Sequence, residues 1–315
     1  MYIGIDLGGT NIAAALVDGD GRIHKRTSVS ANASGGAIAI IHGFLEVCDT
    51  LLAGSNEAPV AIGIGVPGTV NDETGEVVFT PNLPLLGIKI TGELREKYGC
   101  PVRLGNDANC AALGETIAGG AKGSQDVVFV TLGTGIGGGV IIGGCLLTGV
   151  SGAASELGHQ VIIEGGRKCG CGRMGCWESY ASATGLIRTA IELMGSHPDS
   201  HMWELCGGLA EKINGSRVFD AYRAGDHAAK LTVEEYAKHL GVGLVNIINI
   251  LEPELICVGG GISNAWDCLA GPVQAMIDKE KYYRFAPDAQ HTKVVKAVLG
   301  NDAGIIGAAL LGLEA

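Results

Sequence analysis

Short apolar runs alternate with turns of glycine and aspartate at the start of the chain. Tyr2–Asp6 leads into the glycine-rich turn Leu7–Asn11, and Ile12–Val17 leads into the turn Asp18–Gly21. A third and more polar segment, Arg22–Ser28, follows that turn. Short runs bounded by such turn residues are typical of β-strands. The pattern predicts a β-meander whose first turn is rich in glycine.

The same order of strand and glycine turn returns in the middle of the chain. Val127–Leu132 is followed by the turn Gly133–Gly137, the run Gly138–Ile142 and the pair Gly143–Gly144. A repeated unit of this kind favours two related lobes, each contributing one glycine hairpin to a shared cleft. Because β-meanders are common, a chance similarity is the alternative.

The stretch Val127–Ser155 contains no charged residue and exceeds the ~20 residues that a transmembrane helix needs. Several glycines fall inside it, and each costs a helix about 1 kcal/mol. The stretch therefore predicts two buried strands joined by a glycine turn rather than a membrane span.

Helical patterns fill much of the remaining chain. Ser216 and Asp226 are candidate N-caps, and an apolar stripe after Asp226 predicts a helix that Pro253 ends. The further predicted elements are helices over Ile38–Ala53, Ala108–Ala118, Asn264–Lys279 and Ala303–Leu313 and strands over Val60–Val66, Glu254–Val258 and Val294–Val298. Together they predict an α/β protein, in which we expect residues 1–107 with 300–315 to form a smaller lobe and residues 108–299 a larger one.

Length, glycine content and charge narrow the class of protein. The chain has 315 residues, 52 of them glycine, and a formal net charge of -11. It exceeds the ~250–300 residues at which single cores usually stop growing, so two lobes are expected.

No run of lysine and arginine is present, and we therefore expect neither nucleic acid nor a membrane as a partner. The N-terminus meets a carboxylate at Asp6 without a basic segment, so we expect a cytoplasmic protein without a signal peptide.

Two stretches match the glycine spacing of a dinucleotide-binding fingerprint, at Gly63–Gly68 and at Gly133–Gly138. That fingerprint works only where its glycines open a helix that holds a pyrophosphate at its N-terminus. A turn follows Gly68 and an apolar strand follows Gly138, which argues against a dehydrogenase. The P-loop pattern does not occur in the sequence either.

The two glycine hairpins offer another way to hold a nucleotide. Backbone N–H groups in turns without Cβ atoms approach phosphate oxygens closely and form an anion-binding nest. Thr10 and Thr134 add hydroxyl donors. Asp6, at a strand end, suits Mg²⁺, which takes few carboxylates and keeps several waters. Ordinary tight β-turns are the alternative for each hairpin taken alone.

Three of the ten cysteines are clustered and follow a histidine. Cys169, Cys171 and Cys176 come after His159, and three thiolates with one imidazole suit a closed, tetrahedral zinc site. Such a site is structural because four protein ligands leave no position open for water. Redox-active or buried cysteines beside an unrelated histidine are the alternative.

Asp107 precedes the predicted helix Ala108–Ala118 within the sequence Asn106–Asn109. One interpretation is a helix N-cap. The other is a general base at a strand end, which accepts the proton of a substrate hydroxyl during phosphoryl transfer while the helix dipole keeps it ionised.

These motifs resemble those of a known family. Asp6–Asn11, Leu132–Gly139 and Gly259–Gly261 are similar to the phosphate-1, phosphate-2 and adenosine motifs of the actin-like ATPase superfamily, and nearly the whole chain resembles the bacterial glucokinases of the ROK family (repressors, open reading frames, kinases). The resemblance implies a two-lobed, ribonuclease H-like α/β fold with a central cleft and a zinc knuckle. It also implies ATP, Mg²⁺ and a structural Zn²⁺ as cofactors, and a homodimer or homotetramer.

The resemblance also implies a role for each matching residue. Asp107 matches the catalytic base, and the zinc ligands match His159, Cys169, Cys171 and Cys176. The positions that match nucleotide contacts are Asp6, Gly8, Gly9, Thr10, Asn11, Gly133, Thr134, Gly135, Gly259, Gly260 and Gly261. The positions that match sugar contacts are Asn82, Asn106, Asp107, Glu156, His159 and Glu178.

The implied reaction is phosphorylation of glucose on its 6-hydroxyl by ATP. Kinases for N-acetylmannosamine, N-acetylglucosamine, allose and fructose in the same family are alternatives. The family also includes sugar-responsive repressors with a helix-turn-helix before the first phosphate motif, for which we expect no room ahead of Asp6. An inactive sugar sensor is disfavoured because Asp6, Asp107 and both hairpins are present.

Overall fold

A computed structural model describes residues 1–55, 57–282, 291–311 and 313. The chain forms two compact units. Unit 1 comprises Met1–Phe129, Gly138–Ser155 and Ala297–Ala315, and unit 2 comprises Val130–Gly137 and Glu156–Lys296. The lobe boundaries expected from the sequence stay a prediction.

The described residues form groups of strands and groups of helices along the chain. In chain order the strands are β1 (Tyr2–Leu7), β2 (Asn11–Val17), β3 (Ile23–Ser30), β4 (Ile62–Val66), β5 (Thr69–Asn71), β6 (Glu76–Phe79), β7 (Ile88–Lys89), β8 (Val102–Asn106), β9 (Val127–Leu132), β10 (Ile136–Ile142), β11 (Cys145–Leu146), β12 (Leu255–Gly259) and β13 (Lys293–Lys296). The helices are α1 (Gly36–Leu52), α2 (Gly92–Tyr98), α3 (Asp107–Ala118), α4 (Glu178–Ala181), α5 (Ala183–Ser196), α6 (His201–Leu205), α7 (Gly215–Arg223), α8 (His227–Leu251), α9 (Trp266–Glu280) and α10 (Asp302–Leu310). The predicted α/β class is confirmed.

The main sheet of unit 1 has the strand order β3-β2-β1-β4-β8. Strands β1, β2 and β3 are antiparallel neighbours, as the predicted meander requires, whereas β1, β4 and β8 are parallel. Ile3 and Ile5 share a buried cluster with Phe44 of α1. Because side chains alternate along a strand, Gly4 and Asp6 lie on the opposite face, where α10 packs.

Two glycines let backbones in unit 1 approach closely. A Cβ on Gly63 of β4 would lie 1.7 Å from the carbonyl oxygen of Ala308. A Cβ on Gly307 of α10 would lie 1.6 Å from the carbonyl oxygen of Cys110 on α3. Any larger residue would force these elements apart, so part of the glycine excess serves to hold α10 against the sheet and α3.

The uncharged stretch in the middle of the chain forms strands, as predicted. Strand β9 and strand β10 are joined by the turn that contains Gly133 to Gly135, and the second sheet has the order β11-β10-β9-β12-β13. This order repeats that of the first sheet, element for element. The repetition supports the duplication that the sequence pattern favours.

The N-caps of α7 and α8 can be compared with the caps predicted from the sequence. Asp226 caps α8 by accepting a hydrogen bond from the N–H of Ala229, as predicted. The prediction for Ser216 is wrong, because Asn214 caps α7 by accepting from the N–H of Arg217. Asparagine and serine are comparable N-caps, so residue type alone did not separate the two positions.

Among the residues that the structure describes, one helical stretch, Ala33–Leu52, is long and apolar enough to span a membrane. Ile40, Phe44 and Val47 in this stretch are fully buried within the core of unit 1. A core helix of a soluble protein has the same composition, and the burial of these side chains agrees with that interpretation.

Candidate active site and metal centre

The parallel strands of unit 1 bring two carboxylates to one edge of their sheet. Asp6 near the end of β1 pairs with Gly65 of β4, and Val66 of β4 pairs with Asn106 at the end of β8. Asp107 follows directly as the first residue of α3. The C-terminal edge of a parallel sheet is where α/β proteins commonly bind ligands.

The N-cap of α3 is Asn106 and not Asp107. The Oδ1 atom of Asn106 accepts hydrogen bonds from the N–H groups of Ala108 at 2.9 Å and Asn109 at 3.1 Å, and its Nδ2 atom donates to the carbonyl of Gly68 at 2.9 Å. The N-cap interpretation of Asp107 is therefore wrong. Because Asn106 caps the helix, the carboxylate of Asp107 stands in the first turn, where the helix dipole stabilises negative charge.

The carboxyl group of Asp6 has a raised pKa. Burial and, to a smaller extent, the negative charge of Asp107 raise the pKa of Asp6 to about 6. No hydrogen bond joins its carboxylate to another residue that the structure describes. A carboxylate without hydrogen bonds from the protein suits Mg²⁺, because this ion needs few protein oxygen ligands and keeps several of its waters.

A cavity of about 650 Å³ opens beside Asp6 in unit 1. Asp6 of β1 pairs with Ala13 of β2, and Ala13 pairs with Ser28 of β3. The small side chain of Ala13 therefore lies between the polar side chains of Asp6 and Ser28. The predicted nucleotide residues Gly8, Thr10 and Asn11 line this cavity together with Arg26, Asn301 and Asp302. The Arg26 guanidinium and the Asp302 carboxylate form a two-pronged ion pair in its wall, at 2.6 and 2.7 Å.

Asn82 lies on an exposed turn after β6, between the buried residues Thr80 and Leu83. The Oγ1 atom of Thr80 is buried without a hydrogen-bond partner among the described residues. The anchored Leu83 holds the turn against the core and leaves the Asn82 amide at the surface of unit 1.

The predicted zinc ligands come together in unit 2. The ligand atoms of His159, Cys169, Cys171 and Cys176 all lie within 4.8 Å of one another. The Sγ of Cys169 is 3.7 Å from Nδ1 of His159, and the Sγ atoms of Cys171 and Cys176 are 3.7 Å apart. A tetrahedron with Zn–S bonds of ~2.3 Å has edges of about 3.8 Å, so the four residues fit zinc.

The chain between the ligands is folded by its own backbone. The N–H of Cys169 donates to the carbonyl of Arg173, and the N–H of Gly172 donates to that of Cys169. The N–H of Arg173 lowers the pKa of the Cys171 thiol, which favours the thiolate that zinc requires. His159 ends a short 3₁₀ helix, and its Nε2 lies 3.9 Å from the carboxylate of the exposed Glu156.

Glu178 connects the metal centre to the second glycine hairpin. Its Oε2 atom accepts a hydrogen bond from the N–H of Ile136 at 2.9 Å, and its Oε1 atom lies 3.6 Å from Sγ of Cys169. A Cβ on Gly135 would lie 2.3 Å from the same Oε2. The carboxylate therefore rests on the hairpin, and a glycine at position 135 makes room for it.

The third glycine segment also reaches this hairpin. Gly260 has a φ of 82°, and a Cβ on it would lie 2.5 Å from the carbonyl oxygen of Leu132, the residue before Gly133. Gly259 ends β12, and Gly261 begins the following 3₁₀ helix. Both glycine segments of unit 2 thus meet at their backbones.

The predicted site residues divide between the two units. Unit 1 holds Asp6, Gly8, Gly9, Thr10, Asn11, Asn82, Asn106 and Asp107. Unit 2 holds Gly133, Thr134, Gly135, Glu156, His159, Cys169, Cys171, Cys176, Glu178, Gly259, Gly260 and Gly261. Sequence reasoning missed the capping role of Asn106, although the asparagine before Asp-x-Asn was a signal for it. It also missed the contact between Glu178 and Ile136, and no sequence signal could have predicted that contact.

The chain is similar to known proteins over almost its whole length. The model of the ROK family matches residues 2–315. The chain is 39% identical over 310 residues to a glucokinase of Thermotoga maritima, covering 98% of this chain and 95% of that one, and 37% identical over 313 residues to a glucokinase of Halalkalibacterium halodurans, covering 97% and 93%. The crystal structure of a ROK family glucokinase from Streptomyces griseus, in complex with glucose and AMPPNP, matches with a TM-score of 0.81 and 35% identity over 98% of both chains.

Proposed function

The chain belongs to the ROK family, and we propose that it is an ATP-dependent glucokinase that transfers the γ-phosphoryl group of ATP to the 6-hydroxyl of glucose. The observation that carries the proposal is the place of Asp107, the first residue of a helix capped by its neighbour Asn106. Full-length similarity to two glucokinases and to a glucokinase structure with glucose and AMPPNP supports it.

Asp107 acts as the general base in this proposal. Its carboxylate accepts the proton of the 6-hydroxyl as the oxygen attacks the γ-phosphorus, and the N-terminus of α3 stabilises the charge of the carboxylate before transfer. The hydrogen bond from Nδ2 of Asn106 to the carbonyl of Gly68 fixes the start of α3. It thereby fixes the direction of the Asp107 side chain as well.

Asp6 is proposed to hold Mg²⁺, which supplies positive charge against the donor phosphates when it is bound. The turns Gly8–Asn11 and Gly133–Gly135 are proposed to hold the phosphates. The N–H groups of Gly8 and Gly133 close these turns by donating to the carbonyls of Asn11 and Gly135, and those of Gly9, Thr10, Thr134 and Gly135 are proposed to donate to phosphate oxygens. Gly259, Gly260 and Gly261 are proposed to lie against the adenosine.

The polar groups that we propose for sugar binding are the amides of Asn82 and Asn106, the carboxylates of Glu156 and Glu178, and the imidazole of His159 through Nε2. A site that pairs each hydroxyl with an acceptor rejects sugars lacking that hydroxyl, because the acceptor is then buried unpaired. Zn²⁺ on His159, Cys169, Cys171 and Cys176 is structural in this proposal and orients His159 and Glu178.

The setting follows from the activity. We propose a cytoplasmic enzyme that supplies glucose 6-phosphate to glycolysis, that acts as a homodimer or homotetramer, and that binds neither nucleic acid nor a membrane. Its acidic net charge of -11 supports the last point.

A hexose panel tests the function. Initial rates with ATP are measured for glucose, N-acetylmannosamine, N-acetylglucosamine, allose and fructose by coupling ADP release to NADH oxidation. We expect the highest kcat/KM for glucose. An N-acetylated sugar preferred by tenfold, about 1.4 kcal/mol, would retain the kinase and overturn the choice of glucose; no turnover with any of the five would overturn the kinase.

A further inference from the structure

The hairpin Gly133–Gly137, here called the donor hairpin, is held from one side by a single short segment. The carbonyl of Gly133 accepts from the N–H of Ala183 at 2.9 Å, and the carbonyl of Thr134 accepts from Oγ1 of Thr184 at 2.8 Å. Glu178 accepts from the N–H of Ile136. All three partners belong to residues 178–184, here called the clamp segment, which follows the last zinc ligand.

The clamp segment is itself fixed to α8. Trp177, immediately before it, is fully buried and donates its indole N–H to the carbonyl of His239 at 2.9 Å. A Cβ on Gly243 would lie 2.1 Å from the indole ring. The hydroxyl of Tyr236 donates to the carbonyl of Ala181 at 2.7 Å. The donor hairpin is therefore bonded to a rigid support.

These bonds fix the direction of two N–H groups. In a trans peptide the C=O and the following N–H point in opposite directions. With the carbonyls of Gly133 and Thr134 bonded to the clamp segment, the N–H groups of Thr134 and Gly135 point away from it. Neither N–H donates to another residue that the structure describes. Two successive N–H groups aimed the same way form an anion-binding nest.

Helix formation does not require the hydroxyl of Thr184. Ser182 already caps α5, since its side chain accepts from the N–H of Gly185 at 3.1 Å. Thr184 is exposed and fills no core position. Within the described residues, its hydroxyl donates to the carbonyl of Thr134 and to no other group.

We propose that Thr184 is a positioning residue for the phosphate donor: it holds the peptide between Thr134 and Gly135 so that the Gly135 N–H is presented to a phosphate oxygen. The inference rests on the proposed kinase function and names a residue outside the zinc, sugar and base machinery. It predicts that donor affinity, and not sugar affinity, depends on this hydroxyl.

The test compares Thr184→Val, which keeps the shape and removes the hydroxyl, with Thr184→Ser, which keeps the hydroxyl. Zinc-loaded proteins are titrated with Mg²⁺–AMPPNP by calorimetry, and KM is measured separately for ATP and glucose. We expect Thr184→Val to raise the AMPPNP Kd and the KM for ATP about fivefold, the effect of one lost hydrogen bond. The KM for glucose should change less than about twofold, and Thr184→Ser should resemble the wild type.

Zinc content and Tm of each variant separate this role from a general loss of structure. Equal AMPPNP binding by wild type and Thr184→Val, or parallel loss of sugar affinity or zinc, would overturn the inference while leaving the kinase proposal in place. A wild-type protein that binds no AMPPNP would overturn both.

Discussion

The negative charge of Asp107 adds to the larger effect of burial in raising the pKa of Asp6 to about 6. The two carboxylates lie at the same edge of the unit 1 sheet, one at the end of β1 and one at the start of α3. At neutral pH the folded protein therefore holds two nearby negative charges. This arrangement disfavours folding and favours a cation.

The first prediction concerns stability. The pKa of Asp6 is higher in the folded state than its ordinary value of 3.8, so ionised Asp6 destabilises the fold at pH above about 6, and the penalty vanishes as pH falls below about 4. Two units of pKa correspond to at most about 3 kcal/mol. Asp6→Asn should therefore raise the free energy of unfolding at neutral pH in metal-free buffer while abolishing activity. Urea titrations at neutral pH and near pH 4 check this; a variant that is less stable than the wild type at neutral pH contradicts it.

The second prediction concerns the rate. Protonation of Asp6 removes the ligand proposed for Mg²⁺, so kcat/KM for ATP should fall on the acid side with an apparent pKa of about 6 at low Mg²⁺. Because a cation favours the ionised form, saturating Mg²⁺ should move this limb to lower pH. Rates across roughly pH 5 to pH 8 at two Mg²⁺ concentrations measure the shift. A limb that does not respond to Mg²⁺ would assign the titration to another group.

The third prediction concerns the base. Asp107→Asn keeps the size of the side chain, and Asn106 still caps α3, so fold and ligand binding should persist. The kcat should fall by about 10²–10⁴-fold, since the variant cannot accept the hydroxyl proton. Steady-state kinetics beside calorimetric titrations of glucose and AMPPNP separate the two effects. Retention of a tenth of the wild-type kcat would remove Asp107 from the catalytic role.

The fourth prediction concerns the metal. Gently purified protein should contain one zinc per chain, and Cys171→Ala should lose it and unfold at lower temperature, because metal binding is coupled to folding. Both KM values should rise, since Glu178 and the clamp segment follow the last ligand directly. Cys145→Ala, at an exposed cysteine outside the cluster, is the matched control. Elemental analysis without zinc in the wild type would refute the site.

Local patterns predicted the elements that local sequence determines. The meander from Tyr2 and the strands on either side of Gly133 follow from apolar runs and glycine turns, and the cap at Asp226 follows from its place before an apolar stripe. The small sheet of β5, β6 and β7 was not predicted because its strands are too short to show a period. The N-cap of α7 was predicted at Ser216 and lies at Asn214, because serine and asparagine cap helices equally well.

The cysteine spacing predicted a set of ligands that the structure does bring together, because a short glycine-containing loop limits where its thiols can lie. The bond between Glu178 and Ile136 joins residues far apart in sequence, and tertiary packing alone decides it. The same is true of the hydroxyl of Thr184 on the carbonyl of Thr134.

The fifth prediction concerns Glu115, a fully buried carboxylate on α3. Its Oε2 accepts from the N–H of Gly120 at 2.7 Å and of Val298 at 3.2 Å, and its Oε1 accepts from the N–H of Leu299 at 2.8 Å. These bonds tie α3 to the chain that leads into α10, where a Cβ on Gly304 would lie 3.5 Å from the Asp6 carboxyl carbon. We therefore expect Glu115 to support the proposed Mg²⁺ site indirectly, through the position of α10.

Glu115→Gln preserves the shape but turns an NH₂ group toward at least one of these backbone donors, which is then buried without an acceptor. We expect the free energy of unfolding to fall by about 2–4 kcal/mol, the range for breaking a buried charged hydrogen-bond set. Glu96→Gln on the surface of α2 is the control and should change it by less than about 0.5 kcal/mol. Urea unfolding followed by circular dichroism gives both values, and the Mg²⁺ dependence of kcat/KM should weaken in the first variant alone. Equal stability of the two variants would mean that the three N–H groups find other acceptors once the carboxylate is replaced.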